Sequence, residues 1–240
     1  MNCTGATLLL AISLITILGC RQAADSAKAP SDLAAMPSAG EPPADGNREP
    51  QRPVADSYDG RDYLPLRSGR IMHYQVTWSP PLGEPRSARA TSTLTGGVSV
   101  AAKSYFKQVT EISCIPFTPT TTVYYRSAPE GVYQILESDQ DRPEWLYLPS
   151  RIVLGDTWRA TTSQGELEFE AAAVEDVETP SGTYRGCLKL LLTIKGTLGT
   201  ATEEQWLAPG VGFVKQADRN PLFSSTTLLE DVTPDDDPEP

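Results

Sequence analysis

One histidine, His73, in 240 residues leaves little room for the commonest catalytic devices. A Ser-His-Asp triad or a zinc site would have to be built around it, yet it shares the polar side of an alternating stretch with Gln75 and Thr77. Cysteine is scarce too: there are four, with no C-x-x-C pair and no Cys/His cluster at metal spacing, which excludes the familiar redox and zinc motifs. Basic residues number 20 against 31 acidic, a formal charge of −11, so the electrostatic footprint that nucleic acid requires is missing. Phosphate-cradling glycine loops are missing as well. No catalytic residue, metal or cofactor is expected, and the chain reads as a non-enzyme.

What is present begins at the N-terminus. Ala6 to Leu18 reads ATLLLAISLITIL, thirteen residues without a charge. That suits the apolar region of a secretory signal and is short for a membrane span, which needs about 20 residues. The run ends Ile17-Leu18-Gly19-Cys20, which resembles the lipobox of bacterial lipoproteins: an aliphatic residue, a spacer, a small residue, then cysteine. The resemblance implies cleavage before Cys20 and lipidation of its thiol. Each buried methylene then adds roughly 0.8 kcal/mol of membrane affinity, so several acyl chains hold firmly. It places the chain in a bacterial envelope, facing the periplasm or the exterior. Arg21 rather than Asp follows the cysteine, which in the enterobacterial sorting pattern favours the outer membrane.

Composition then divides the chain. After a signal peptide at 1–19, residues 20–57 carry six prolines and no aromatic side chain, whereas all 18 aromatics lie between Tyr58 and Phe223. A segment that cannot bury apolar surface cannot offset its ordering entropy, so 20–57 is expected to be a disordered tether. Its ends would lie on the order of 35 Å apart. An all-β domain is expected over 58–231, and an acidic disordered tail over 232–240. The charge divides into −2, −5 and −4 across these three parts.

Within 58–231 the apolar residues alternate. Met72, Tyr74, Val76 and Trp78 point one way; Leu167, Phe169 and Ala171 alternate with Glu166, Glu168 and Glu170; Leu188, Leu190, Leu192 and Ile194 form one face. Period two means strand. Further strands are expected at 87–95, 98–113, 121–128, 131–137, 144–148, 156–162, 202–208, 211–217 and 223–230, and no convincing amphipathic helix. Turn chemistry supports antiparallel hairpins. Pro180 and Gly182 separate two long alternating runs, and Pro209-Gly210 suits a type II turn, with Gly212 marking a bulge or a close backbone approach. The fold class is therefore all-β and antiparallel, a single domain of about 11–12 strands forming an open or half barrel or a sandwich. There is also a faint echo. Tyr63-Leu64-Pro65 and Tyr147-Leu148-Pro149 each precede a glycine (69 and 155) with a large residue three places on, Met72 and Trp158. Duplication and chance both account for it.

GTYRGCLKL (182–190) followed by EQWLAPGVGFVK (204–215) resembles the C-terminal half of a group of bacterial exported proteins and lipoproteins that includes TapB-like proteins. YLPLRSGRIMHYQV resembles that group's opening strand, with Met72 where the group commonly has Trp. The resemblance implies an antiparallel β fold, an open or half barrel like those of envelope lipid carriers, and no reaction.

Three patterns deserve a chemical test. Ser104-Tyr105-Phe106-Lys107 fits S-x-x-K, but on a strand positions i and i+3 face opposite ways and cannot meet. Glu166, Glu168 and Glu170 share one face with ordinary exposed spacing, so they read as solvated rather than as glycosidase carboxylates. With Cys3 lost and Cys20 lipidated, Cys114 and Cys187 remain. They form either a disulfide, closing a loop of about 70 residues and adding roughly 4 kcal/mol, or two buried free thiols.

Two functions remain open. One is a tethered β-domain holding an apolar ligand or an envelope component, for which Leu191 beside Leu190 and Leu192 is the local hint. The other is a structural or protein-interaction lipoprotein with a filled core, using loops such as 79–87 and 137–145. The expected partners are the membrane, through the anchor, and an apolar ligand or envelope protein, not nucleic acid.

Overall fold

The structure is a computed structural model and describes residues 56–79, 84–113, 118–141, 143–163, 165–196, 199–220 and 223–233. Among these, the alternating segments form twelve strands of a single antiparallel sheet. The first six are β1 (Ile71–Ser79), β2 (Arg86–Val100), β3 (Lys103–Ser113), β4 (Thr120–Ala128), β5 (Gly131–Leu136) and β6 (Trp145–Pro149). The second six are β7 (Thr157–Thr162), β8 (Gly165–Thr179), β9 (Gly182–Gly196), β10 (Gly199–Ala208), β11 (Gly212–Asn220) and β12 (Phe223–Thr233). A four-residue helix, α1 (Gly60–Tyr63), precedes them, capped by Asp59, whose carboxylate accepts from the Arg61 N–H.

The spatial order is β6-β5-β4-β3-β2-β1-β12-β11-β10-β9-β8-β7. Each half is an up-and-down meander, and the pairing of β1 with β12 joins them. The two edges, β6 and β7, are consecutive in the chain. The sheet curls until they lie side by side, where the Trp158 indole Nε1–H donates to the Tyr147 carbonyl across 3.1 Å. They share no ladder, so the barrel is nearly closed rather than closed. A second tie crosses the same seam, from the Ser163 N–H to Asp139 Oδ2 at 2.9 Å.

The echo in the sequence is structural. The Gly69 N–H donates to the Leu94 carbonyl on β2 and the Leu94 N–H to the Arg70 carbonyl; the Gly155 N–H donates to the Ala171 carbonyl on β8 and the Ala171 N–H to the Asp156 carbonyl. The two glycines have φ of +87° and +89°, a left-handed conformation that glycine adopts without steric cost. β1 and β7 each begin two residues later, and β2 and β8 are both 15 residues long. The two six-strand halves are thus built to one plan.

The chain arrives at Tyr58, which bridges to Ile152 between β6 and β7, and β12 ends beside the start of β1. Both events occur at one end of the barrel, its base; the opposite end is the far end. At the base the β10–β11 turn is the expected one, with Gly210 at φ +71° and its N–H donating to the Asp62 carbonyl at 2.7 Å. Gly212 follows that turn at φ +94°, and a Cβ there would stand 3.5 Å from Leu64 Cδ1, an ordinary van der Waals contact. Pro180 also sits in a turn, before Gly182.

The inner faces of β4–β11 meet in one core with α1 on its base, including Tyr63, Leu64, Val132, Leu136, Tyr147, Leu148, Leu167, Phe169, Leu188, Leu190, Leu192, Leu207 and Phe213. Tyr147 is its hub, with ring contacts to Tyr125, Phe169 and Phe213. Burying each Leu or Phe contributes about 1.5–3 kcal/mol, and these side chains pack against one another inside the barrel along this side. A smaller cluster, Val100, Tyr105, Tyr124 and Ile135, lies on the outer face. The β5–β6 connection meets that cluster: Glu144 accepts from the Tyr105 hydroxyl (2.6 Å), and Gln140 Nε2–H donates to the Tyr124 hydroxyl.

One expectation is corrected. A break was expected between 95 and 98, but Gly96-Gly97 form a bulge inside β2, and the chain turns at Ala101-Ala102, both at positive φ.

Candidate functional site

Parity along the strands places polar side chains inside the barrel. On β10, Glu203 and Gln205 share the face of buried Leu207; on β11, Gln216 and Asp218 share that of Val214; on β12, Ser225 and Thr227 share that of Leu229. Register lays them side by side: Glu203 opposite Asp218, itself opposite Ser225, and Gln205 opposite Gln216, itself opposite Thr227. All six are between 1% and 4% exposed. Leu190 and Leu192 border the patch on β9, and Val76 and Trp78 border it on β1.

Neighbouring neutral side chains are among the partners of the two carboxylates. Gln205 Nε2–H donates to Glu203 Oε1 at 2.5 Å, Gln216 Nε2–H to Asp218 Oδ1 at 3.2 Å, and the Ser225 hydroxyl to Asp218 Oδ2 at 2.5 Å. Tyr147 reaches across the barrel to donate to Gln205 Oε1 at 2.5 Å. Burial, with the charges of Tyr125 and Glu203 adding to it, holds the Tyr147 phenol well above its usual range, so it stays a donor at any ordinary pH. Two buried oxygens, the Gln216 amide oxygen and the Thr227 hydroxyl, have no hydrogen-bond partner among the described residues.

A groove of about 330 Å³ lies on the outer surface behind this patch, lined by Glu168, Glu170, Leu191, Thr193, Glu204 and Arg219 among others. Two of its carboxylates are held by cations. Glu168 pairs with Arg159 (2.8 Å) and Lys195 (2.9 Å), and Glu204 pairs with Lys189 (2.8 Å). The hydrogen bonds from Arg159 and Lys195 pull the Glu168 carboxyl down to about 2. Next to the groove, the Trp206 ring is covered by Lys189 and Lys215 at 4.8 and 4.3 Å.

The residues singled out from sequence fall as follows. Cys20 and Cys114 lie outside the described residues. Cys187 is a buried free thiol on β9, donating to the Tyr184 carbonyl at 3.4 Å, and burial pushes it up to about 11. Cys187 lies towards the base, whereas Ser113 ends β3 at the far end. His73 is half-buried on β1, its Nδ1 3.2 Å from Thr91 Oγ1. Ser104 and Lys107 lie on β3, three places apart on a strand as expected. Glu166, Glu168 and Glu170 share the outer face of β8. Leu191 sits in the groove floor, so β9 does carry apolar residues on both faces. The inner polar patch was missed by sequence reasoning. Counting by twos from Leu207, Val214 and Leu229 finds it.

Fold and site together define an antiparallel, nearly closed β-barrel with a buried polar patch on the inner face of β10–β12. No protein-family model matches the chain, and no curated protein matches it. Two solved structures are distantly similar in chain course. One is a "putative exported protein with YmcC-like fold" from Bacteroides fragilis, 14% identical over 71% of this chain and 98% of its own, with a TM-score of 0.40. The other is a "putative lipoprotein" from Parabacteroides distasonis, 12% identical over 71% of this chain and 98% of its own, with a TM-score of 0.42.

Proposed function

We infer that the chain is a lipid-anchored protein of a bacterial envelope, without catalytic activity, whose filled β-barrel works by contact with another envelope component. The anchor rests on Ile17-Leu18-Gly19-Cys20. The observation that carries the rest is the placement of chain entrance and core. Tyr58 and Thr233 both sit at the base, so the described chain enters and leaves the barrel at one end, and neither segment crosses the far end or the outer groove. The core that an apolar ligand would need to enter is occupied by Tyr147, Phe169, Leu190 and their neighbours. The non-catalytic reading is supported by His73, whose ring is engaged with Thr91 on the wall of the barrel away from the buried carboxylates.

The test begins with Cys20→Ser in the full-length chain, followed by membrane fractionation and incorporation of a labelled fatty acid. Loss of both label and membrane association is the expected result; an unlabelled protein that stays membrane-bound overturns the anchor. Native mass spectrometry of the exported Cys20→Ser chain then separates the two modes of action. A bare mass supports the filled barrel, and a defined lipid adduct overturns it in favour of a carrier.

A further inference from the structure

The two halves carry one motif on their outer faces, with the charges exchanged. β4 ends at Ala128 and β10 at Ala208, each followed by proline. Two residues before those alanines stand Arg126 and Trp206. Opposite them in register are Tyr133 on β5 and Lys215 on β11, and opposite those are Leu146 on β6 and Leu228 on β12. Each first pair is a cation–π contact: Arg126 lies 4.8 Å from the centre of the Tyr133 ring, and Lys215 4.3 Å from that of Trp206. The first half completes its motif with a carboxylate. Glu144, two residues before Leu146, accepts from Lys103, the Tyr105 hydroxyl and Arg126. Two residues before Leu228 stands Thr226, which has no charge to offer. Nearby carboxylates are already engaged: Glu204 pairs with Lys189, and Glu175 accepts from the Trp206 indole Nε1–H. Among the described residues no carboxylate pairs with Lys215, and Lys189 lies over the same ring at 4.8 Å.

We propose that the Trp206 platform receives an acidic segment of a partner protein, one carboxylate of which sits on Lys215 as Glu144 sits on Arg126. Charge complementarity and the first half's own arrangement name the same occupant: a stretch with an acidic residue two places before an aliphatic one, as in Glu144-Trp145-Leu146. Two ammonium groups over one ring repel each other, and a carboxylate brought to Lys215 relieves that repulsion. Its hydrogen bond is charge-assisted, hence stronger than a neutral one. The partner is the envelope component of the contact reading above, now given its chemistry. A chain of bare mass that ignores the peptide below would keep that reading and remove this one.

The probe is acetyl-Pro-Glu-Phe-Leu-amide, which copies Pro143 to Leu146 with phenylalanine for Trp145. It is titrated into the full-length Cys20→Ser chain labelled with fluorotryptophan. The Trp206 fluorine signal, identified by its loss in Trp206→Phe, should shift and saturate. The glutamine analogue of the peptide should weaken that response about threefold to fivefold, and so should Lys215→Met, which keeps the stem and removes the charge. Thr226→Glu supplies the carboxylate in place, so it should abolish the response and raise the thermal midpoint by roughly 1–4 °C. No shift in the parent chain, an equal shift with the glutamine analogue, or a response that Lys215→Met and Thr226→Glu both leave intact overturns the proposal. A response seen only after residues 234–240 are removed overturns it too, because the chain's own acidic tail then holds the platform.

Discussion

Glu144 is an electrostatic tie on the outer face that lends itself to measurement. It lies in the β5–β6 connection and accepts from Lys103 Nζ (2.6 Å), Arg126 Nε (2.9 Å) and Nη2 (2.5 Å), and the Tyr105 hydroxyl (2.6 Å). Burial alone would raise its pKa; the hydrogen bonds from Arg126, Lys103 and Tyr105 outweigh it and bring the carboxyl down to about 2, from 4.5 when unperturbed. A carboxyl whose folded value lies below its unfolded one stabilises above the unfolded value and loses that contribution as the pH falls to the folded one. At about 1.36 kcal/mol per pH unit the full difference is roughly 3 kcal/mol. Lys103 is half exposed and solvent screens the cluster, so about 1–2 kcal/mol is the expected share.

Glu144→Gln keeps the shape and removes the charge. Urea unfolding of parent and variant, followed by tryptophan fluorescence at several pH values, should give a gap of about 1–2 kcal/mol at pH 7. The gap should hold down to the unperturbed 4.5 and shrink progressively towards 2. A gap independent of pH would refute the charge argument, and no gap at pH 7 would mean that the connection is not held by this residue.

Two more predictions concern the base and the thiol. At Gly60 a Cβ would stand 2.4 Å from the Pro149 carbonyl and 2.8 Å from Leu148 Cβ, so Gly60→Ala should cost about 1–3 kcal/mol in the same unfolding assay; unchanged stability would mean that α1 is not seated against β6. Cys187, held up to about 11 by burial, should resist alkylation at pH 8 until urea is added. Without reductant, Cys187→Ser should lower the thiol titre in urea by one. A titre that instead rises by one would show that Cys187 is bridged in the parent chain.

Most of the barrel wall was legible because alternation is a local signal. Met72, Tyr74 and Val76, and Leu188 to Ile194, declare their faces over a few residues, and Pro180 and Pro209-Gly210 punctuate them. The signal failed where chemistry and geometry part. Gly96-Gly97 looks like a turn and is a bulge in β2, while Ala101-Ala102 turns the chain with no turn-forming residue. It failed again on β10. Glu203 and Gln205 face inward and Thr202 and Glu204 outward, so polarity does not alternate there although the backbone does. Only parity with Leu207 assigns those two residues to the interior.

Closure was beyond any such reading, and the reason bears on function. The contact that makes one sheet of two meanders pairs Ile71 with Thr233 and Ser79 with Ser224, residues at opposite ends of the domain. No window of sequence contains both. Duplication supplies what local pattern cannot: if each half is one meander beginning at a left-handed glycine, the first strand of one half and the last strand of the other are the free edges available for pairing. Joining β1 to β12 then leaves β6 and β7 as the remaining edges. Among the described residues these are tied by side-chain hydrogen bonds such as those from the Trp158 indole and to the Asp139 carboxylate, in place of a ladder. Such a seam has less holding it than any other line in the wall, since each paired strand shares several backbone bonds with its neighbour. The outer groove runs from Thr157 on the β7 edge across β8, β9 and β10 to Arg219 on β11, so its lining stays on strands joined by ladders even though one end of it borders the seam.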